Sequence, residues 1–346
     1  MSATRIATKT FRYAFGLNKQ TAVGTPIAAA KLAYRLPFEG FSAADLNTDA
    51  MSSDRNQYGK GHDFATRHER INERIVIPQR TYDLTPLSAV WAPSFVLGGL
   101  TNEAHIGWQA HIFTFQDKYT QQECLYTSMV EDAGAYKELI TGLVVNQFTL
   151  DFSMNQHVMI SWDGQAFSRA TSAIAIPALS TQECFFKARV ATFSFGASPS
   201  SDVGASVVGG QLTFSQNPQV VYAGGASEAN AKKPSYFLIG RQGLTGNLRV
   251  LMNSTFRNLF VDETECELII TLDGLTEIDA TGQNYLVVIT VPHFKIATAA
   301  MSEGGEWTEM TLAFTEETVL KDSVDDLVTY EVDSDLSNAD ILTASP

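Results

Sequence analysis

A chain of 346 residues is long enough for two domains of ordinary size, each with its own core. Apolar residues make up 45% of it, but charged residues only 18%, below the ~25% usual in soluble domains. Much of the surface is therefore neutral and polar, or buried against copies of the chain, and the net charge of −14 excludes a general nucleic-acid binder, which needs a basic surface for phosphate.

Residues 11–37 read as a strand that breaks at Gly24 and Pro26. Residues 38–66, rich in Asn, Asp, Ser and Gly, read as a long loop or arm of the kind that orders against a neighbouring molecule. Mixed charges fill residues 67–80, where Ile75 and Ile77 suit a strand ending at Pro78 and a helical start at Ile71 is the alternative. A helix is expected from about Asp83, capped by Asp83 or Thr85, with Pro86 in its first turn and Leu87, Val90 and Trp91 on one face. Pro93 should end or kink it. Strands are expected at residues 105–115 and 124–130.

The strongest pattern lies in residues 142–167. Phe148, Leu150 and Phe152 alternate with Gln147, Thr149, Asp151 and Ser153; after the turn at Met154-Asn155-Gln156, Val158, Ile160 and Trp162 alternate with Met159, Ser161 and Asp163. Period-2 alternation places one face on a core and leaves the other for solvent or a partner. A connector follows at 168–184. Further strands are expected at 185–195, 211–222, 244–252, 265–273, 285–296 and 308–315, with a short helix at 255–263 and flexible Gly/Ala/Ser-rich segments at 196–210 and 223–234.

The hairpin has an echo. Val291, Phe294 and Ile296 follow Val145, Phe148 and Leu150 by 146 residues, and Ala313 and Phe314 follow Ala166 and Phe167 by 147. The expected fold class is mainly β: two tandem β-sandwich-like domains with one short helix each. The divisions are residues 1–172, carrying the arm 38–66; a connector at 173–184; a second β domain at 185–315; and an acidic tail at 316–346. That tail holds nine acids against one base, Lys321, and is expected to be solvated and partly ordered.

Signatures of chemistry fail. His68-Glu69 opens like a zinc-protease motif, but Asn72 stands where the second histidine is needed. His105 and His111 are too far apart on one strand to share a metal. Gly240, Gly243 and Gly246 precede a strand, not the helix of a dinucleotide loop. Ser161-Trp162-Asp163-Gly164 lacks the glycines of a nucleophile elbow. Asp322, Asp325 and Asp326 lack the glycine and closing glutamate of a calcium loop. Cys124, Cys184 and Cys266, odd in number and far apart, suit buried reduced thiols. No catalytic, cofactor-binding or metal-binding residue is expected. Residues 1–12 hold no apolar core of signal-peptide length, and no apolar run spans a bilayer, so the expectation is a soluble chain made in the cytoplasm. The profile is that of a non-enzymatic structural protein that buries surface against its own copies.

An ordered series of motifs resembles one family. The opening Gly16-Leu17-Asn18-Lys19-Gln20-Thr21-Ala22-Val23-Gly24-Thr25-Pro26 is similar to the start of the major tail tube proteins of long-tailed bacteriophages. The hairpin 142–167, then Gly243-Leu244-Thr245-Gly246-Asn247-Leu248, the helix near Phe256–Val261, Val291-Pro292 and Thr311-Leu312-Ala313-Phe314 continue the resemblance over residues 13–315. It implies a virion tail protein, made in the host bacterial cytoplasm, whose rings stack into a tube lined by an inner β-barrel through which DNA leaves the capsid. A chain with two such domains would close a ring with three copies in pseudo-six-fold symmetry; six copies are the alternative. Implied partners are the chain itself, a tape measure protein, and tail terminator or tip proteins, with DNA passing unbound and no membrane engaged. In such a tube Asp151 and Glu267 are expected to face the lumen, against the competing expectation of outer-surface acids. Two other functions stay open: another β-sandwich virion component, such as a baseplate or capsid decoration protein, and a carbohydrate-active enzyme with paired carboxylates.

Overall fold

The computed structural model describes residues 12–35, 45–53, 67–134, 136–178, 184–198, 200–223, 232–303, 308–320 and 327–345. Among these residues the chain is mainly β, with two large antiparallel sheets and two α-helices. Among the described residues neither large sheet closes into a barrel within one chain.

The alternating hairpin forms as its pattern dictates. Lys137–Ser153 and Met159–Ala166 are adjacent antiparallel strands. Phe148, Leu150, Phe152, Ile160 and Trp162 are buried, while Gln147 and Asp151 are exposed. Gly142 is required inside the long strand: its φ is +67°, and the Val23 carbonyl and Phe167 side chain lie 2.5 and 2.6 Å from where a Cβ would stand.

This hairpin sits in the middle of the larger sheet, a path of eight strands with four more off it. In spatial order the path runs Thr298–Glu303, Thr308–Phe314, Gly243–Leu251, Val207–Ser215, Lys137–Ser153, Met159–Ala166, Arg67–Asp83 and Asp45–Ser53. The four strands from each half of the chain are arranged alike: taken in chain order, the first pairs with the second, the second with the fourth, and the fourth with the third. In both halves the helix follows the second strand. The halves join where the third strand of the first pairs with the first strand of the second, setting Phe148 opposite Phe214 and Asp151 opposite Gln211. The sequence echo aligns the two fourth strands, through Ala166 and Ala313, but Val291 and Phe294 lie on Asn284–Lys295 in the other sheet.

Several elements differ from expectation. Strand Arg67–Asp83 runs through Pro78, because a bulge there leaves residues 78 and 79 opposite Asp163 alone, and a proline needs no ladder partner in a bulge. Residues 45–53 of the expected arm form a strand; most of that arm lies outside the described residues. Helix α1 (Pro86–Val96) is capped by Thr85, whose side chain accepts from Ser88 N while Ser88 Oγ accepts from Thr85 N. It carries Pro93 in its interior: ten of its eleven residues are buried, and that packing outweighs one lost hydrogen bond. Helix α2 (Ser254–Val261) is shorter and buries only Phe256.

The smaller sheet runs, in order, Ser201–Asp202, Thr192–Ala197, Glu265–Glu277, Asn284–Lys295, Thr329–Ser334, Gln109–Phe115 and Gly98–Ala104. Here the acidic tail departs from its expected solvated state. Thr329–Ser334 is an inner strand, joining Asn284–Lys295 from the second half to Gln109–Phe115 from the first. Tyr330 and Val332 point into the core. Ala344–Ser345 then pairs in parallel with Lys19–Gln20, and Lys31 Nζ lies 2.7 Å from Asp340. The two sheets enclose one continuous core that draws on both halves. Across it Tyr330 meets Phe148 and Phe214, Phe193 meets Phe152, and Phe294 meets Phe314, with ring centroids 4.7–6.1 Å apart.

Candidate assembly surfaces

Two surfaces of the larger sheet stand out: a polar face turned away from the core, and open edges at both ends of the strand path. The face follows from period-2 alternation repeated in register over adjacent strands. Thr149 lies opposite Ser161 on one side and Thr213 on the other, and Asp151 opposite Met159 and Gln211. Further along the same rows stand Thr245 and Asn247. The side chains tie to one another: Thr149 and Thr213 hydroxyls are 3.0 Å apart, Gln79 donates to Ser161 at 2.9 Å, and Asn146 donates to Asp163 at 2.7 Å. Burial raises the Asp163 carboxyl above the usual range, and the Asn146 hydrogen bond works against that rise. Arg249 also stands on this face, 3.9 Å from Glu309. The result is a polar face, mostly neutral, with acids and one acid-paired arginine, Arg249, set into it.

Among the described residues, strand Thr298–Glu303 pairs only with Thr308–Phe314, and strand Asp45–Ser53 only with Arg67–Asp83. These are the two ends of the eight-strand path, and each leaves a row of backbone N–H and C=O groups without a ladder partner. Neither strand is marked in the sequence by a long apolar run.

The structure does not bring Asp151 and Glu267 together. Asp151 is exposed on the polar face of the larger sheet. Glu267 belongs to Glu265–Glu277 in the smaller sheet, with Cys266 and Leu268 beside it pointing into the core. It therefore sits on the opposite outer face of the sandwich, where its carboxylate accepts from Ser200 N at 2.9 Å. Both acids obey the same alternation rule, which says which side of its own sheet a residue takes but not which sheet it joins.

Among the described residues no group of three or more His, Cys, Asp or Glu is placed to hold a metal ion. No helix there is long and apolar enough to cross a membrane. All three cysteines are buried, and burial pushes the Cys266 thiol up to about 11. His105 stacks on Trp108 and His111 lies in the core between Asn102 and Ser334, so the two histidines serve separate contacts. No curated protein matches the chain. The family model described as phage tail tube protein matches residues 19–333, past the end of the sequence resemblance at 315 and through most of the buried tail strand. Matched over that span, the chain belongs to the phage tail tube protein family.

Proposed function

We propose that three copies of this chain close into a ring, that each contributes its eight-strand path to one continuous inner barrel, and that stacked rings form the conduit for DNA delivery. The observation that carries this reading is the repeated strand order together with the junction between the halves. Inside one chain the third strand of one unit already pairs with the first strand of the next. The same joint, repeated between chains, sets Thr298–Glu303 of one copy against Asp45–Ser53 of its neighbour. Every edge of the path is then satisfied, and the ring holds about twenty-four strands with pseudo-six-fold symmetry. On this reading each chain carries two tube units, residues 1–172 and 185–315, and the tail from 316 serves the outer layer.

Barrel closure with the core outside turns the polar face inward. Thr149, Thr213, Gln211 and Asp151 then line the lumen, and Glu267 lies outside it. Most of this face is neutral or acidic, and its Arg249 has the Glu309 carboxylate beside it, so phosphate meets little to hold it and a duplex slides past. The protein is then a virion tail component without enzymatic activity, whose further partners are a tape measure protein and the tail terminator or tip proteins.

Electron microscopy of the assembled protein tests the ring. The expected image average has three-fold symmetry with six similar lobes around a central channel. A ring of six complete chains, or a ring whose wall at the channel is the smaller sheet, would overturn the reading.

A further inference from the structure

One end strand of the smaller sheet, Gly98–Ala104, pairs among the described residues on one side only. Its pairing with Gln109–Phe115 is bracketed by two hydrogen bonds, Gln116 N to the Leu97 carbonyl and His105 N to the Trp108 carbonyl. Antiparallel pairs alternate between bonded and non-bonded, so the odd-numbered residues bond inward. Gly98, Leu100, Asn102 and Ala104 therefore aim their N–H and C=O groups outward. Among the described residues nothing pairs with them. The four residues Thr101–Ala104 are all exposed, and the turn that ends the strand presents Ile106 at 96% exposure. No proline, lysine or bulge blunts this edge.

The direction of the edge follows from how the sheets cross. Tyr330 lies at the level of Phe148, and Phe193 at the level of Phe152. Going from the strand of Tyr330 to that of Phe193 crosses three strand spacings in the smaller sheet, roughly 14 Å. Going from Phe148 to Phe152 covers four residues along one strand of the larger sheet, roughly 13 Å. Phe294, one spacing from Tyr330, meets Phe314, whose row leads through Gly246 and Leu212 to Leu150, as the same scale requires. The strands of the two sheets thus run nearly at right angles. The edges of the smaller sheet therefore point along the strands of the larger one, which on the ring reading is toward the rings above and below rather than toward neighbours in the same ring.

We propose that Gly98–Ala104 is a ring-to-ring contact: a second copy of this chain, in the adjacent ring, lays an extended segment against this edge, with Ile106 buried at the end of the joint. This rests on the ring reading above, which orients the larger sheet along the tube. The partner is a second copy because a tube of identical rings presents this same edge in every ring, facing the opposite end of the next molecule. β-Addition supplies affinity through main-chain bonds, and the exposed isoleucine supplies an apolar anchor.

Ala104→Pro removes an outward N–H and no inward ladder bond. The variant is expected to form rings that fail to lengthen into tubes, and Ile106→Asp to shorten tubes several-fold. Normal tubes from both would overturn the proposal and leave the ring reading standing. On the unmodified chain, the amides of Leu100, Asn102 and Ala104 should exchange at least tenfold more slowly in tubes than in free rings. Equal exchange in the two states would also overturn it. If the unmodified chain forms neither rings nor tubes, the ring reading itself falls, and this inference with it.

Discussion

Arg80 shows how a single residue escapes a reading by pattern. It lies in a charge-dense run, yet it is fully buried, with its guanidinium 3.1 Å from Glu131 and 3.9 Å above the Tyr13 ring. Burial of a charge is decided by partners far along the chain, and no local periodicity reports them. His111 and Asp333 form a second such case, on adjacent rows of the smaller sheet. Burial holds the His111 imidazole down at about 4, while burial, with the nearby Glu331 charge, pushes the Asp333 carboxyl up to about 6. The two act in opposite senses. The unfolded chain protonates His111 more readily, so that residue's contribution is intact above about pH 6.5 and is lost as pH falls toward 4. The folded chain protonates Asp333 more readily, so its contribution is full below about pH 4 and is lost as pH rises through 6. Between pH 4 and 6 they offset each other. Asp333→Asn should therefore leave a stability that falls with acidification more steeply than in the parent, by roughly 1–3 kcal/mol across that window. His111→Gln should tilt the profile the other way. Denaturant unfolding at a series of pH values measures both tilts, and parallel profiles for parent and variants would refute the assignment.

At the scale of elements, the alternating strands were legible and the edge strands were not. The hairpin 142–167, the strands near 244–252, 265–273, 285–296 and 308–315, and both helices announce themselves by buried alternation or by caps. Gly98–Ala104 and Thr298–Glu303 are missing from that reading because an edge strand of small and polar residues buries too little to show a pattern. The tail strand is the instructive failure. Tyr330 and Val332 alternate with Thr329, Glu331 and Asp333, but the acids around them mask so short a period. Its weight in the structure is large, since Tyr330 contacts Phe113, Phe148 and Phe214 and the strand holds together two strands from different halves. Tyr330→Ala should cost about 3–5 kcal/mol, as for other large aromatic truncations in a closed core. Equilibrium unfolding checks this; a loss below about 1 kcal/mol would return the tail to the status of a dispensable appendage.

For the whole molecule, the sequence carried the mainly β class but not the way the halves interlock around one core. Register and strand order depend on contacts between residues 60 or more apart, such as Phe148 with Phe214, and the period-2 pattern is the same whichever sheet a strand enters. By that pattern alone Asp151 and Glu267 are equivalent. Their separation onto opposite faces makes a sharp test of which face lines the tube. If the polar face of the larger sheet is the lumen wall, Thr213→Lys combined with Asp151→Lys places two ammonium groups per chain where duplex DNA must pass. Each makes a phosphate partner, and the repetition of rings along a tube multiplies the drag. Both sites are on the side of the sheet away from the core, so assembly should proceed as in the parent. DNA release from particles carrying these tubes should slow several-fold, and the slowing should fade as salt is raised, because each phosphate contact weakens with salt. Glu267→Lys places an ammonium group on the other face and should leave release unchanged. Slowing by Glu267→Lys, with none from the paired variant, would reverse the assignment of inside and outside.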